Sequence, residues 1–185
     1  MSSSALPGAR RRGAALAAAA ALLLTGVFFT GSAPSAQAAQ AVGIDVECLG
    51  TFSRTFSPAV TSTPQTVTSS STYTYNTCAI GSVGTGTTST ALTLSCIPLT
   101  AGPAETESVT WLDATGGTST IVWQQPTVVA QTVVYTGTVT AGRYLGDTAT
   151  KVTSGVSYVG SVISCLLGTP ISSATGLVDS LLLTS

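Results

Sequence analysis

The chain has 185 residues, with 6 Lys and Arg, 7 Asp and Glu, no histidine and a formal net charge of −1. The absence of histidine excludes Ser-His-Asp and Cys-His catalysis and imidazole–metal sites. So few cations leave no footprint for nucleic acid or for an anionic lipid surface.

In chain order, Arg10, Arg11 and Arg12 come first, then the apolar run from Ala14 to Phe29, then Ala36-Gln37-Ala38. A basic segment, an apolar stretch too short for the roughly 20 residues of a membrane span, and a small-x-small site read as a secretory signal peptide over residues 1–38. Cleavage after Ala38 would leave residues 39–185 as one domain, with Arg54, Arg143 and Lys151 against seven carboxylates, a net charge of −4. In that part 50 residues are Ser or Thr, which together with Val, Tyr and Gly favours strands joined by turns over helices. Apolar residues recur at a period of two, which argues against a disordered Ser/Thr-rich stalk.

Residues 41–56 alternate through Val42, Ile44, Val46 and Cys48, a turn covers 57–64, and residues 66–76 alternate through Val67, Tyr73 and Tyr75. Cys48, Cys78, Cys96 and Cys165 are an even set in an exported chain, which implies disulfides. Four cysteines allow three pairings. A hairpin of the first two strands brings Cys48 to the region of Cys78, and a third strand over 89–97, folded back on the second, puts Cys96 opposite residues near 70. Cys48–Cys78 with Cys96–Cys165 is therefore the expected connectivity. A cysteine metal site would want C-x-x-C pairs, which the chain lacks.

A loop with Gly102, Pro103, Glu105 and Glu107 precedes two short strands, 108–112 and 118–123, joined around Gly116-Gly117. An odd, three-residue loop puts Val109, Trp111, Ile121 and Trp123 on one face; an even loop would separate the tryptophans. Both are expected in the core, and the competing reading is a flat aromatic platform for sugars. Glu105 and Glu107, the nearest pair of carboxylates, are expected to be solvated. Gln124-Gln125-Pro126 breaks the chain before a long hairpin over 131–153. There Val133, Tyr135 and Val139 face one way, and the turn 141–147 carries Arg143 and Asp147 as an expected surface ion pair. Residues 157–167 are apolar around Cys165, 170–176 form a loop, and 177–184 make a last strand containing Asp179. No segment reads as a convincing helix, and no L-P-x-T-G sorting motif closes the chain.

Eight or nine short strands with turn residues between them describe an all-β, two-sheet Greek-key sandwich. The segments CLGTFSRTFSP, VTW followed by TGGTST, and GTVTAGRYLGDTAT, with a late Cys before a final strand, resemble a group of small secreted actinobacterial proteins of the Streptomyces type. That resemblance implies an immunoglobulin-like β-sandwich and carries over no functional residue. No catalytic, metal or cofactor-binding residue is expected, and any overlooked turnover would fall to Glu105, Glu107, Asp113 or Asp147. The expected function is a secreted, non-catalytic extracellular or cell-envelope module. It would meet an extracellular protein or cell-wall polymer through loops such as 141–147 or 97–106, with no nucleic acid and no membrane after signal cleavage. A protease inhibitor or carbohydrate-binding module is the competing class, and the exposure of Trp111, Trp123, Tyr144 and Tyr158 discriminates between them.

Overall fold

The computed structural model describes residues 43–96, 103–129, 131–155 and 158–185. The expected signal peptide and residues 97–102 lie outside them, as do the side chains of residues 158–161, Tyr158 included.

Among the described residues nine strands and one helix follow in order: β1 Ile44–Val60, β2 Gln65–Ile80, β3 Gly84–Leu94, β4 Glu105–Trp111, β5 Thr118–Trp123, β6 Thr127–Val129, β7 Thr132–Gly142, β8 Thr148–Ser154, α1 Tyr158–Leu166 and β9 Ile171–Thr184. The all-β expectation holds, but the arrangement differs from two packed sheets. A single sheet runs β5-β4-β3-β2-β1-β9-β8-β7-β6, and a further pairing of β5 with β7 closes eight of the strands into a barrel. Apart from β1 with β9, and the short β6 set to one side of the β5–β7 seam, barrel neighbours are also neighbours in sequence. This is an up-and-down meander without Greek-key crossovers.

The closing seam depends on a residue without a side chain. Gly137 pairs with Trp123, and a Cβ there would lie 2.4 Å from the Val122 carbonyl oxygen and 2.9 Å from the Trp123 ring. Only glycine lets β7 approach β5 this closely.

Period-two alternation decides what the barrel encloses. Val46, Val109, Ile121, Val139, Ala149, Val178, Leu181 and Leu183 point inward with Tyr73, Tyr75, Trp111, Trp123 and Tyr135, while Thr66, Thr68, Thr72, Thr74, Thr136, Thr138 and Thr140 are exposed. The β4–β5 register, from Glu105↔Trp123 to Thr110↔Thr118, is that of an odd loop, so Val109, Trp111, Ile121 and Trp123 share the inner face as expected.

Four strands extend past the barrel. β3 pairs with β4 only as far as Thr88 yet follows β2 to Leu94, and β9 meets β8 only from Leu177 yet pairs with β1 back to Ile171. The extension has its own core of Phe56, Val60, Val67, Leu94, Ile171 and Ala174, completed by Cys96 and Cys165. Both expected disulfides form, Cys48–Cys78 between directly paired residues of β1 and β2 and Cys96–Cys165 across the extension.

Several expectations about the elements are corrected: β1 runs on to Val60, through the first half of the turn expected over 57–64, and β4 begins at Glu105 rather than at residue 108. The third strand begins at Gly84 rather than at residue 89, which sets Gln65 opposite Leu94 and brings the Cys96 amide to the Thr61 carbonyl at 2.9 Å, not to residues near 70. Residues 171–176, expected in a loop, belong to β9, because Ile171 and Ala174 supply inward side chains to the second core. Residues Tyr158–Leu166 form a helix where none was expected. Among its described side chains Ile163 and Leu166 are exposed and Cys165 is buried, tied to Cys96 by its disulfide.

Candidate functional site

The barrel interior contains a charged pair. Alternation along Glu105-Thr106-Glu107-Ser108-Val109 turns Glu107 inward with Val109, and Lys151 turns inward between Ala149 and Thr153. Lys151 Nζ donates to Glu107 Oε2 at 2.6 Å, and neither side chain has any exposed surface. The remaining capacity of the carboxylate is used as well: Tyr75 OH donates to Oε1 at 2.6 Å and Trp123 Nε1 to Oε2 at 2.8 Å. Rings wall in the ammonium, with Nζ 3.5 Å from the Tyr73 ring centre, 4.7 Å from Trp123 and 4.8 Å from Tyr135. Gly86, on the adjacent strand β3, makes room for the carboxylate, since a Cβ there would lie 1.9 Å from Glu107 Oε1. Burial pushes the Tyr75 hydroxyl well above its ordinary value, and the neighbouring Glu107 adds to the shift.

Beyond this pair sits Arg54, whose Nε donates to Ser71 Oγ at 2.7 Å and whose Nη2 lies 4.0 Å from Glu105. Burial works against its charge, but Tyr73, Tyr135 and Glu105 outweigh that and hold the guanidinium above its ordinary value. Burial raises the Tyr73 and Tyr135 hydroxyls also.

The other end of the barrel carries the loops. Arg143, in the β7–β8 turn, donates through Nη1 to Asp113 Oδ2 at 2.6 Å, to Thr115 Oγ1 at 3.0 Å and to the Gly116 carbonyl at 3.4 Å, and through Nη2 to Ser82 Oγ at 3.5 Å. Ser82 also donates to Asp113, so three separate loops share one polar knot. Hydrogen bonds from Ser82, Thr115 and Arg143 hold the Asp113 carboxyl well below the usual range. Next to the knot Tyr144 takes a left-handed backbone, φ 63°, and packs edge-on against Trp111 with ring centres 5.4 Å apart. A non-glycine residue held in that region is stored strain of the kind found at functional loops. From this frame Leu112 and Leu145 project at 63% and 67% exposure.

No family model matches the chain, and neither does any curated protein or solved structure.

Several expected positions move. Glu105 and Glu107 are not solvated in a loop: both lie on β4, Glu107 fully buried and Glu105 with a side chain only 10% exposed. Arg143 pairs with Asp113 and not with Asp147, which is buried and has one carboxylate oxygen without a hydrogen-bond partner. Burial, reinforced by Asp45, raises the Asp147 carboxyl above its ordinary value. Both tryptophans are core, as expected, and Tyr144 is half-buried against one of them. Lys151 and Tyr75 were missed as partners of Glu107. The available signal was parity: the chain's single lysine and this glutamate each stand in step with inward-facing residues of their strands.

Proposed function

We propose that the protein is a secreted, non-catalytic binding module whose contact surface is the knotted loop end of the barrel, and that its partner is an extracellular or cell-envelope protein. The observation that carries this reading is the Arg143 knot with Leu112 and Leu145 exposed beside it. Preorganised loops bind without a large ordering cost, and exposed leucines on a rigid frame suit an apolar pocket of a partner. Asp113 is occupied by its donors and kept ionised, and Glu107 is sealed inside, so neither is placed to serve as a general acid or base. Two disulfides suit an oxidising compartment, and the outward threonines give the barrel a polar wall rather than the apolar band a lipid-facing barrel needs. The quoted motifs support a place among small secreted actinobacterial proteins, although a closed meander departs from the immunoglobulin-like sandwich implied for them. A sugar platform built on Trp111 and Trp123 has no support, since both are buried.

The test is capture by immobilised protein from cell-wall and secreted fractions, comparing the parent with the Leu112→Ser/Leu145→Ser double variant. A specific partner lost by the double variant at unchanged melting temperature is the expected result. Equal capture by both refutes the surface, and robust turnover in a broad hydrolase screen refutes the non-catalytic reading.

A further inference from the structure

We propose that Lys151 and Glu107 become joined by an isopeptide bond, a covalent strut between β8 and β4 across the barrel interior. The two strands are not neighbours in the sheet, and the residues are 44 apart in sequence. Four observations support the reaction. The reacting groups are in contact: with Nζ 2.6 Å from Oε2 and a C–O bond of about 1.2 Å, the carboxyl carbon lies within about 3.8 Å of the amine, close to near-attack distance. Both groups are fully buried, so water neither solvates the charges nor competes for the carboxyl carbon. The Tyr73, Trp123 and Tyr135 rings surround the nitrogen and leave the carboxylate as its polar partner. Two donors, Tyr75 OH on Oε1 and Trp123 Nε1 on Oε2, are already in place on the two oxygens whose charge changes during acyl transfer.

The atoms balance without a co-reactant. A proton passes from Nζ to Oε2 along the existing hydrogen bond, giving a neutral amine and a neutral acid with no charge moved to solvent. The nitrogen lone pair attacks the carboxyl carbon and the C–N bond forms. The oxyanion develops on Oε1, held by Tyr75. The C–O bond to Oε2 then breaks, and Oε2 leaves as water, taking its second proton from the attacking nitrogen. The net change is ammonium plus carboxylate to amide plus water, with nothing oxidised or reduced. The product replaces two buried charges with a neutral amide, which removes the desolvation penalty that makes such pairs weak stabilisers.

The experiment is intact-mass spectrometry of the folded, secreted protein, followed by reduction, digestion and tandem mass spectrometry. A mass one water molecule below that of the disulfide-bonded chain is expected, together with a branched peptide linking the segments around Glu107 and Lys151. Lys151→Met and Glu107→Ala should each restore the full mass. If either variant fails to fold, the parent protein still decides the matter. The full mass in the parent, or a missing water located at other residues with Lys151 and Glu107 unmodified, overturns the proposal and leaves a plain ion pair.

Discussion

Replacing Gly86 with alanine tests the packing of the barrel centre with a single methyl group. Gly86 has ordinary strand dihedrals, so the added Cβ brings no backbone strain and all of its effect comes from contact. That Cβ would lie 1.9 Å from Glu107 Oε1, 2.9 Å from its Cδ and 3.2 Å from the Tyr75 ring. The carboxylate cannot retreat, because Tyr75, Trp123 and Lys151 hold it from other directions and its side chain is fully buried. Overpacking costs about 1–3 kcal/mol, and displacing the Tyr75 hydrogen bond to Glu107 costs about 0.5–3 kcal/mol more, the lower part of that range applying to the amide proposed above. A loss of about 4 kcal/mol corresponds to a fall in Tm of roughly 12–16 °C for a domain of this size. Thermal unfolding followed by near-UV circular dichroism measures it, with Thr87→Ala, at the exposed neighbouring position, as a control expected within about 0.5 kcal/mol of the parent. A fall of less than about 3 °C would show that Glu107 has somewhere else to go, and the account of a tightly held carboxylate would be wrong.

The disulfides close loops of 30 and 69 residues, which in the chain-entropy model stabilise by about 3.6 and 4.4 kcal/mol, so reduction should lower the melting temperature sharply. Peptide mapping without reduction should yield a Cys48–Cys78 fragment, and a Cys78–Cys96 fragment would contradict the β1–β2 register. Asp147 gives a pH-dependent result. Its folded pKa is raised above the unfolded value, so the stability it permits is complete below about pH 3.9 and declines as pH rises through the folded value. Asp147→Asn should therefore raise Tm at neutral pH and change little near pH 3. Scanning fluorimetry at both pH values checks this, and an equal effect at both would remove the carboxylate charge from the explanation.

The alternating faces of the strands were legible from residue type, because Tyr135 and Val139 inward against Thr136, Thr138 and Thr140 outward is a pattern with one solution. The tryptophans followed from loop parity, and the disulfides from the stagger of one hairpin. Closure was not legible. Nothing in the local pattern of β5 or β7 says that these two strands meet, and a sandwich and a barrel of the same strands alternate identically. The charged pair was hidden for a related reason. Glutamate beside Gly102 and Pro103 looks like loop composition, and only the strand reading of β4 brings Glu107 into register with Val109 and Trp111. The loop knot needed three distant turns at one end of the barrel, a relation that exists only once the meander is assembled.

The β1–β9 seam has a consequence for how the chain comes together. Hairpins such as β7–β8 close over a few residues, but Ile44 must find Thr184 at the opposite end of the described chain. Non-local pairing of this kind is slow, because the loop-closure entropy is spent before the contact forms. As the chain emerges amino-terminus first, the outer edge of β1 therefore stays open until the last strand arrives, presenting unpaired amides and carbonyls to any extended segment nearby. A chain cut before Ile171 would keep that edge for good, and β8 would have a second. Such a fragment would be a seed for sheet growth between molecules, so β9, which contributes no charge to the barrel interior, also covers two edges that would otherwise invite pairing.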